Sequence, residues 1–164
     1  MFLFKRTGDD GMIQSLLLTQ NDVLQTIWRL HQRAYRVEAN LIGFPELPPL
    51  IETIEKLARS KELFLGYVIE GEILGAAAYE WHDNNVTIAR LIVDPDHFRE
   101  GIGCALLKAV IVNTQSADQW FVSTAKKNAP AIKLYESYGF KVESERIVRE
   151  GLTLVEFKKD KEIV

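Results

Sequence analysis

Arg90-Leu91-Ile92-Val93-Asp94-Pro95-Asp96-His97-Phe98-Arg99-Glu100-Gly101-Ile102-Gly103-Cys104-Ala105-Leu106-Leu107 joins three pieces: an apolar strand, a sharp loop with two glycines one residue apart, and the start of an amphipathic helix. The first N–H groups of a helix have no partner within it, and the helix dipole favours negative charge at that end. Loop and helix start together form a place to hold a phosphate. Gly101 and Gly103 lack a Cβ, so a bulky anion can approach the backbone closely. An isolated Gly-x-Gly pair only shapes a helix start; the strand before it and the helix after it favour an anion site. The pattern is not that of a dinucleotide fold, which needs a further glycine where this chain has Leu106. Nor is it a P-loop, because no Lys-Ser/Thr pair follows Gly103.

Working outward along the chain, Asn128-Ala129-Pro130-Ala131-Ile132-Lys133-Leu134-Tyr135-Glu136-Ser137-Tyr138-Gly139-Phe140 reads as a short helix. Asn128 can cap it, Pro130 fits its first turn, and Gly139 stands where a left-handed residue ends it. Ile132, Leu134, Tyr135 and Tyr138 give it an apolar face. Read alone, Tyr135 is a half-buried helix aromatic.

These two segments resemble motifs A and B of the GNAT superfamily of N-acetyltransferases, in the right order and about thirty residues apart. The resemblance covers residues 60–160 well and the N-terminal third only in its helix pattern. The family loop pattern Q/R-x-x-G-x-G/A falls on Phe98-Arg99-Glu100-Gly101-Ile102-Gly103. Phe98 stands where Gln or Arg is usual, with Arg99 one place late; a loop that works through backbone N–H groups tolerates this. The resemblance implies that the anion is the pyrophosphate of acetyl-coenzyme A, held by Arg99, Glu100, Gly101, Ile102, Gly103 and Cys104. It implies that Leu91, Ile92 and Val93 contact the pantetheine arm through their backbone, on a strand splayed from its parallel neighbour. Asn128 matches a position that touches the same arm or orders water beside it. Tyr135 matches the tyrosine that protonates the departing thiolate.

The remaining elements follow from periodicity. A strand at 13–18 leads into a helix at 23–38, in which Val23, Ile27, Leu30 and Ala34 recur at helical spacing. An apolar loop containing Leu41, Ile42, Phe44, Glu46 and Leu47 precedes a second helix opened by Pro48 or Pro49 and running to about 60. Strands at 63–70, 73–80 and 86–93, a helix at 101–113, a strand at 120–124, the second-motif helix, and strands at 142–148 and 153–157 complete the order β-α-α-β-β-β-α-β-α-β-β. This order is an α/β fold with a mixed central sheet and helices on both faces, the layout that the GNAT resemblance also implies.

The chain of 164 residues, 47% of them hydrophobic, suits one core and a single domain over 1–164. A net charge of −3 argues against a nucleic-acid partner and mildly favours a cationic amine. Cys104, the only cysteine, permits no internal disulfide and points to a reducing cytoplasm. With no His nearby in sequence, it reads as a small residue packed at a helix start rather than a nucleophile. Met1-Phe2-Leu3-Phe4, followed at once by Lys5 and Arg6, is too short for the apolar part of a signal peptide. No apolar stretch approaches the roughly 18 residues that span a membrane. No metal-ligand pattern is present, and the fold is compatible with a homodimer that no sequence feature establishes.

Acetyl transfer from a thioester to an amine needs a neutral amine, a preorganised donor for the oxyanion and an acid for the thiolate. An alkyl amine with a pKa of about 10 is mostly charged at neutral pH. A backbone N–H at 91–93 suits the oxyanion and Tyr135 suits the acid. Many relatives carry a carboxylate base on the strand that falls at 86–93, and this chain has none there. Glu46, Glu80, His82, Asp83 or an ordered water are the alternatives. The rival readings are a GNAT-fold protein that binds acyl-CoA as a sensor and a nucleotide-binding module built on the same glycine loop.

Overall fold

The computed structural model describes residues 11–162. The Met1-Phe2-Leu3-Phe4 segment lies outside them. Seven strands form one sheet in the order β1-β2-β3-β4-β5-β7-β6, with β1 Met12–Leu16, β2 Leu63–Ile69, β3 Glu72–His82, β4 Asn85–Val93, β5 Gln119–Ala125, β6 Lys141–Arg149 and β7 Leu152–Asp160. Only β4 and β5 pair in parallel; the other neighbours are antiparallel.

Helices cover both faces. On one, α1 (Asn21–Ile42) and α2 (Ile54–Ala58) bury Ile27, Leu30 and Leu57 against Leu16, Phe64, Ala76 and Ile92. On the other, α3 (Ile102–Asn113) and α4 (Ala129–Ser137) bury Leu106, Leu107, Val110 and Tyr135 against Leu65, Ala77, Ile88 and Val122. Alternating strand residues feed both cores, which is how helices come to pack on both faces of the sheet.

The N-terminal third departs from that reading. The first helix continues to Ile42, where Gly43 ends it in the left-handed conformation with φ 70. Its last turn is held because Ala39 and Ile42 are buried with Leu47, Ala125 and Leu152. Ile42 is thus helical core, while Leu41 beside it is exposed. Pro48 opens only a 3-10 turn, Pro48–Ile51, and the α-helix begins after Thr53, whose hydroxyl accepts from the Lys56 N–H at 3.2 Å. A proline fits a first turn, but the stronger N-cap set the boundary.

A bulge shapes the centre of the sheet. Ala78 pairs with Arg90 and Tyr79 with Ile88, so Ala89 has no partner on β3. A bulge flips the alternation that follows it: Ile88 and Leu91 both pack on the α3 side, while Arg90 and Ile92 face α1. Beside the bulge, the β4–β5 pairing runs only from Asn85↔Gln119 to Ile88↔Val122.

Candidate active site

Past Ile88 and Val122 the two parallel strands separate while each keeps its outer partner. β4 stays paired with β3 to Val93, and β5 with β7 to Ala125. Residues 89–93 therefore present an edge to the wedge that no strand among the described residues covers, with backbone N–H and C=O groups an extended ligand can pair with. Leu91, Ile92 and Val93 all lie on this edge; the Ile92 side chain is buried in one core, and those of Leu91 and Val93 pack against the other. The wedge holds a cleft of about 80 Å³ lined by residues of α1, β4, β5 and α4, including Tyr35, Glu38, Ala89, Ser123, Asn128 and Tyr135.

The glycine loop lies at the end of β4. Asp94 caps a short 3-10 turn, Pro95–His97, accepting from the Asp96 N–H at 2.9 Å. Arg33 of α1 ties this turn down, reaching Asp94 and Asp96 at 3.1 Å each. Arg99 and Gly101 have φ of 64 and 80. Such left-handed residues alternating with ordinary ones turn successive N–H groups into one concavity. The Ala105 N–H bonds to the Gly101 carbonyl at 3.0 Å, so Ile102, Gly103 and Cys104 precede the first intrahelical donor. Glu100 is held by the His97 ring at 2.7 Å. The glycines differ in their reasons. A Cβ on Gly101 meets nothing within 4 Å but its φ is left-handed; a Cβ on Gly103 would touch Leu134 and Val93 at 3.6 and 3.9 Å. Cys104 is exposed rather than packed, because it lies on the outer side of the first turn of α3. Its carbonyl accepts from the Tyr138 hydroxyl at 3.3 Å.

The second motif closes the inner end of the wedge. Asn128 caps α4 by accepting from the Ala131 N–H at 3.3 Å, and Gly139 ends it with φ 88. Tyr135 is buried with its ring edge-on to Phe140, centroids 5.9 Å apart, and tilted against Phe157. Burial, and next the charge of Glu38, hold its phenol well above the ordinary value of 10.0. The Asn128 side chain also donates to the Glu38 carboxylate at 3.0 Å.

Glu38 was absent from the sequence reading, which ended α1 at that residue. The signal was available: Glu38 stands four residues after Ala34 and four before Ile42 on the buried stripe of α1. Burial raises its pKa above 4.5, and the Asn128 hydrogen bond only partly opposes this. None of the four side chains weighed as bases lines the cleft. Glu80 and His82 pair at 3.4 Å and Asp83 has φ 55, all at the start of β4 rather than at the wedge. Glu46 is exposed and 3.9 Å from Arg149.

Arg90 forms a second polar cluster that sequence reasoning missed. It meets Glu62 at 2.9 Å, Glu52 at 2.8 Å and the His31 ring at 3.3 Å. Burial would lower its pKa, but hydrogen bonds and charges of Glu62 and Glu52 outweigh burial and raise it. The cluster ties α1, the segment before α2 and the start of β2 to the open stretch of β4. One turn beyond Glu38, a cavity of about 180 Å³ lies between Ile42, Ala125, Leu152 and the exposed Lys126 and Lys127. Among the described residues, no group of three or more His, Cys, Asp or Glu is placed to hold a metal ion, and no helix is long and apolar enough to cross a membrane.

Comparison with known proteins agrees with this geometry. The Acetyltransferase (GNAT) domain model matches residues 49–161. The UPF0157 protein YqkA of Bacillus subtilis is 37% identical over 146 residues, which cover 89% of this chain and 43% of that protein. The chain thus spans less than half the length of that relative. The [ribosomal protein bS18]-alanine N-acetyltransferase of Escherichia coli is 32% identical over 114 residues, 65% of this chain and 72% of that one. The solved E. coli ribosomal-protein-S18-alanine N-acetyltransferase superposes with a TM-score of 0.75 at 22% identity, covering 94% of this chain and 96% of that one. A Thermoplasma acidophilum N-acetyltransferase solved with coenzyme A gives 0.73 at 21% identity, over 93% and 99%. A domain match over most of the chain, on a sheet split beside a glycine loop, makes this chain a member of the GNAT acetyltransferase family.

Proposed function

We propose that the chain transfers an acetyl group from acetyl-CoA to a primary amine by direct attack in a ternary complex. The observation that carries this is the wedge between β4 and β5, open from Ala89 onward, with the phosphate loop at one end and Tyr135 at the other. In this reading the N–H groups of Arg99, Glu100, Gly101, Ile102, Gly103 and Cys104 receive the pyrophosphate. The pantetheine arm pairs with the edge at Leu91, Ile92 and Val93, with Asn128 beside it. A backbone N–H of that edge polarises the thioester carbonyl, worth roughly 3–4 kcal/mol where such donors have been removed. Tyr135, kept protonated by its surroundings, supplies the proton that the thiolate takes.

The acceptor enters from the α1 side. The protein relative that acetylates the alanine of ribosomal protein bS18 supports a protein or peptide amine among the candidates. The single cysteine supports a reducing cytoplasm. The test is titration with acetyl-CoA together with release of free CoA over a panel of amines. Amine-dependent release supports the enzyme; binding without release on any amine supports a sensor.

A further inference from the structure

We infer that Glu38 holds the ammonium group of the acceptor and takes its proton, filling the role of the carboxylate that β4 lacks. This rests on the transferase reading above. Among the described residues, Glu38 is the only carboxylate lining the cleft. Of the other acidic groups near the site, Glu52 and Glu62 are ion-paired with Arg90, and Asp94 and Asp96 with Arg33. Glu38 instead accepts a hydrogen bond from the neutral side-chain amide of Asn128, which brings no opposite charge to its half-buried carboxylate. An uncompensated buried charge attracts an opposite one, and a primary ammonium supplies it together with donors for the remaining lone pairs.

The groups facing this carboxylate define its setting. Tyr35 lies one turn back on its own helix, Arg90 comes from β4, Ser123 and Thr124 from β5, and Asn128 and Tyr135 from α4. Tyr35 and Tyr135 are both held protonated by burial and by the Glu38 charge. Proton uptake by Glu38 removes that charge and makes Tyr135 a stronger acid. The two proton transfers are thereby ordered: deprotonation of the amine readies the acid that the departing sulfur needs.

The balance is complete. The ammonium gives one proton to Glu38, and the freed lone pair forms the C–N bond at the thioester carbon. The C–S bond breaks, sulfur takes the Tyr135 proton, and the second nitrogen proton returns to the Tyr135 oxygen. The proton on Glu38 leaves to solvent as the net proton of the reaction.

Glu38→Gln preserves size and can still accept from Asn128, so it tests charge. Acetyl-CoA titration of wild type and variant comes first; equal affinity is expected, and a wild type that binds no acetyl-CoA overturns the transferase reading and this inference with it. n-Butylamine is then titrated at millimolar concentration onto the CoA-loaded proteins and followed by NMR. A perturbation centred on Glu38 in wild type and lost in the variant is expected; an equal response in both, or none in wild type, overturns the inference. With an amine that supports turnover, Glu38→Gln should lower kcat/KM about a hundredfold and abolish the acidic limb of its pH profile. Retention of activity within about twofold, or of the limb, overturns the assignment.

Discussion

The Asn128 side-chain amide donates to the Glu38 carboxylate at 3.0 Å, joining α4 to α1 across the wedge between β4 and β5. The same asparagine caps α4 and so fixes where Tyr135, two turns on, meets the cleft. The start of α4, Tyr135 and Glu38 are therefore one connected arrangement, and changes to each member have separable effects.

Tyr135→Phe removes the phenol and keeps the ring contacts with Phe140 and Phe157. Acetyl-CoA affinity should be unchanged while turnover falls at least about tenfold. Unchanged turnover would take Tyr135 out of the mechanism.

The loop glycines should respond differently to the same change. Gly101→Val forces a β-branched residue to φ 80 and places methyls over the concavity. Acetyl-CoA affinity should collapse with modest loss of folding. Gly103→Ala adds a Cβ at ordinary contact distance from Leu134 and Val93, so it should fold normally; thermal melting and titration of both variants check this, and equal affinities would place the ligand elsewhere.

Arg90→Met leaves Glu52 and Glu62 without their cation in a nearly buried place, 12% and 8% exposed. Removing one partner of such a cluster costs about 3–5 kcal/mol. Denaturant unfolding at neutral pH should show that loss. Arg90→Lys should recover only part, because one ammonium cannot make the forked contacts to both acids.

Glu38 has a folded pKa above its ordinary 4.5. A raised carboxyl stabilises the fold fully below the unfolded value and loses that contribution as pH rises through the folded value. Above that window the ionised Glu38 works against folding. Glu38→Gln should therefore melt higher than wild type at neutral pH, with the gap closing toward pH 4.5, even as activity is lost. A variant that melts lower at neutral pH would contradict the burial of an uncompensated charge.

Local signals carried much of the arrangement. The loop from Asp94 to Gly103, the Asn128 cap and the Gly139 stop depend on neighbouring residues, and all three stand where the sequence reading put them. The first helix ran longer than its pattern because Ala39 and Ile42 find Leu152 and Ala125, partners more than eighty residues away in the chain. The Ala89 bulge and the end of β4–β5 pairing are long-range events with no local mark on either strand. Glu38 was legible in principle, as a charge on an apolar stripe, once the helix is carried past it. The Arg90 cluster was not, because Glu52 and Glu62 reach it only through the fold.

The most direct test of the account is calorimetric titration of the protein with acetyl-CoA, paired with free-CoA release over a panel of primary amines. Binding that Gly101→Val abolishes, with amine-dependent release that Tyr135→Phe slows, is the predicted result. Absence of binding, or binding that the Gly101→Val loop retains in full, would contradict it.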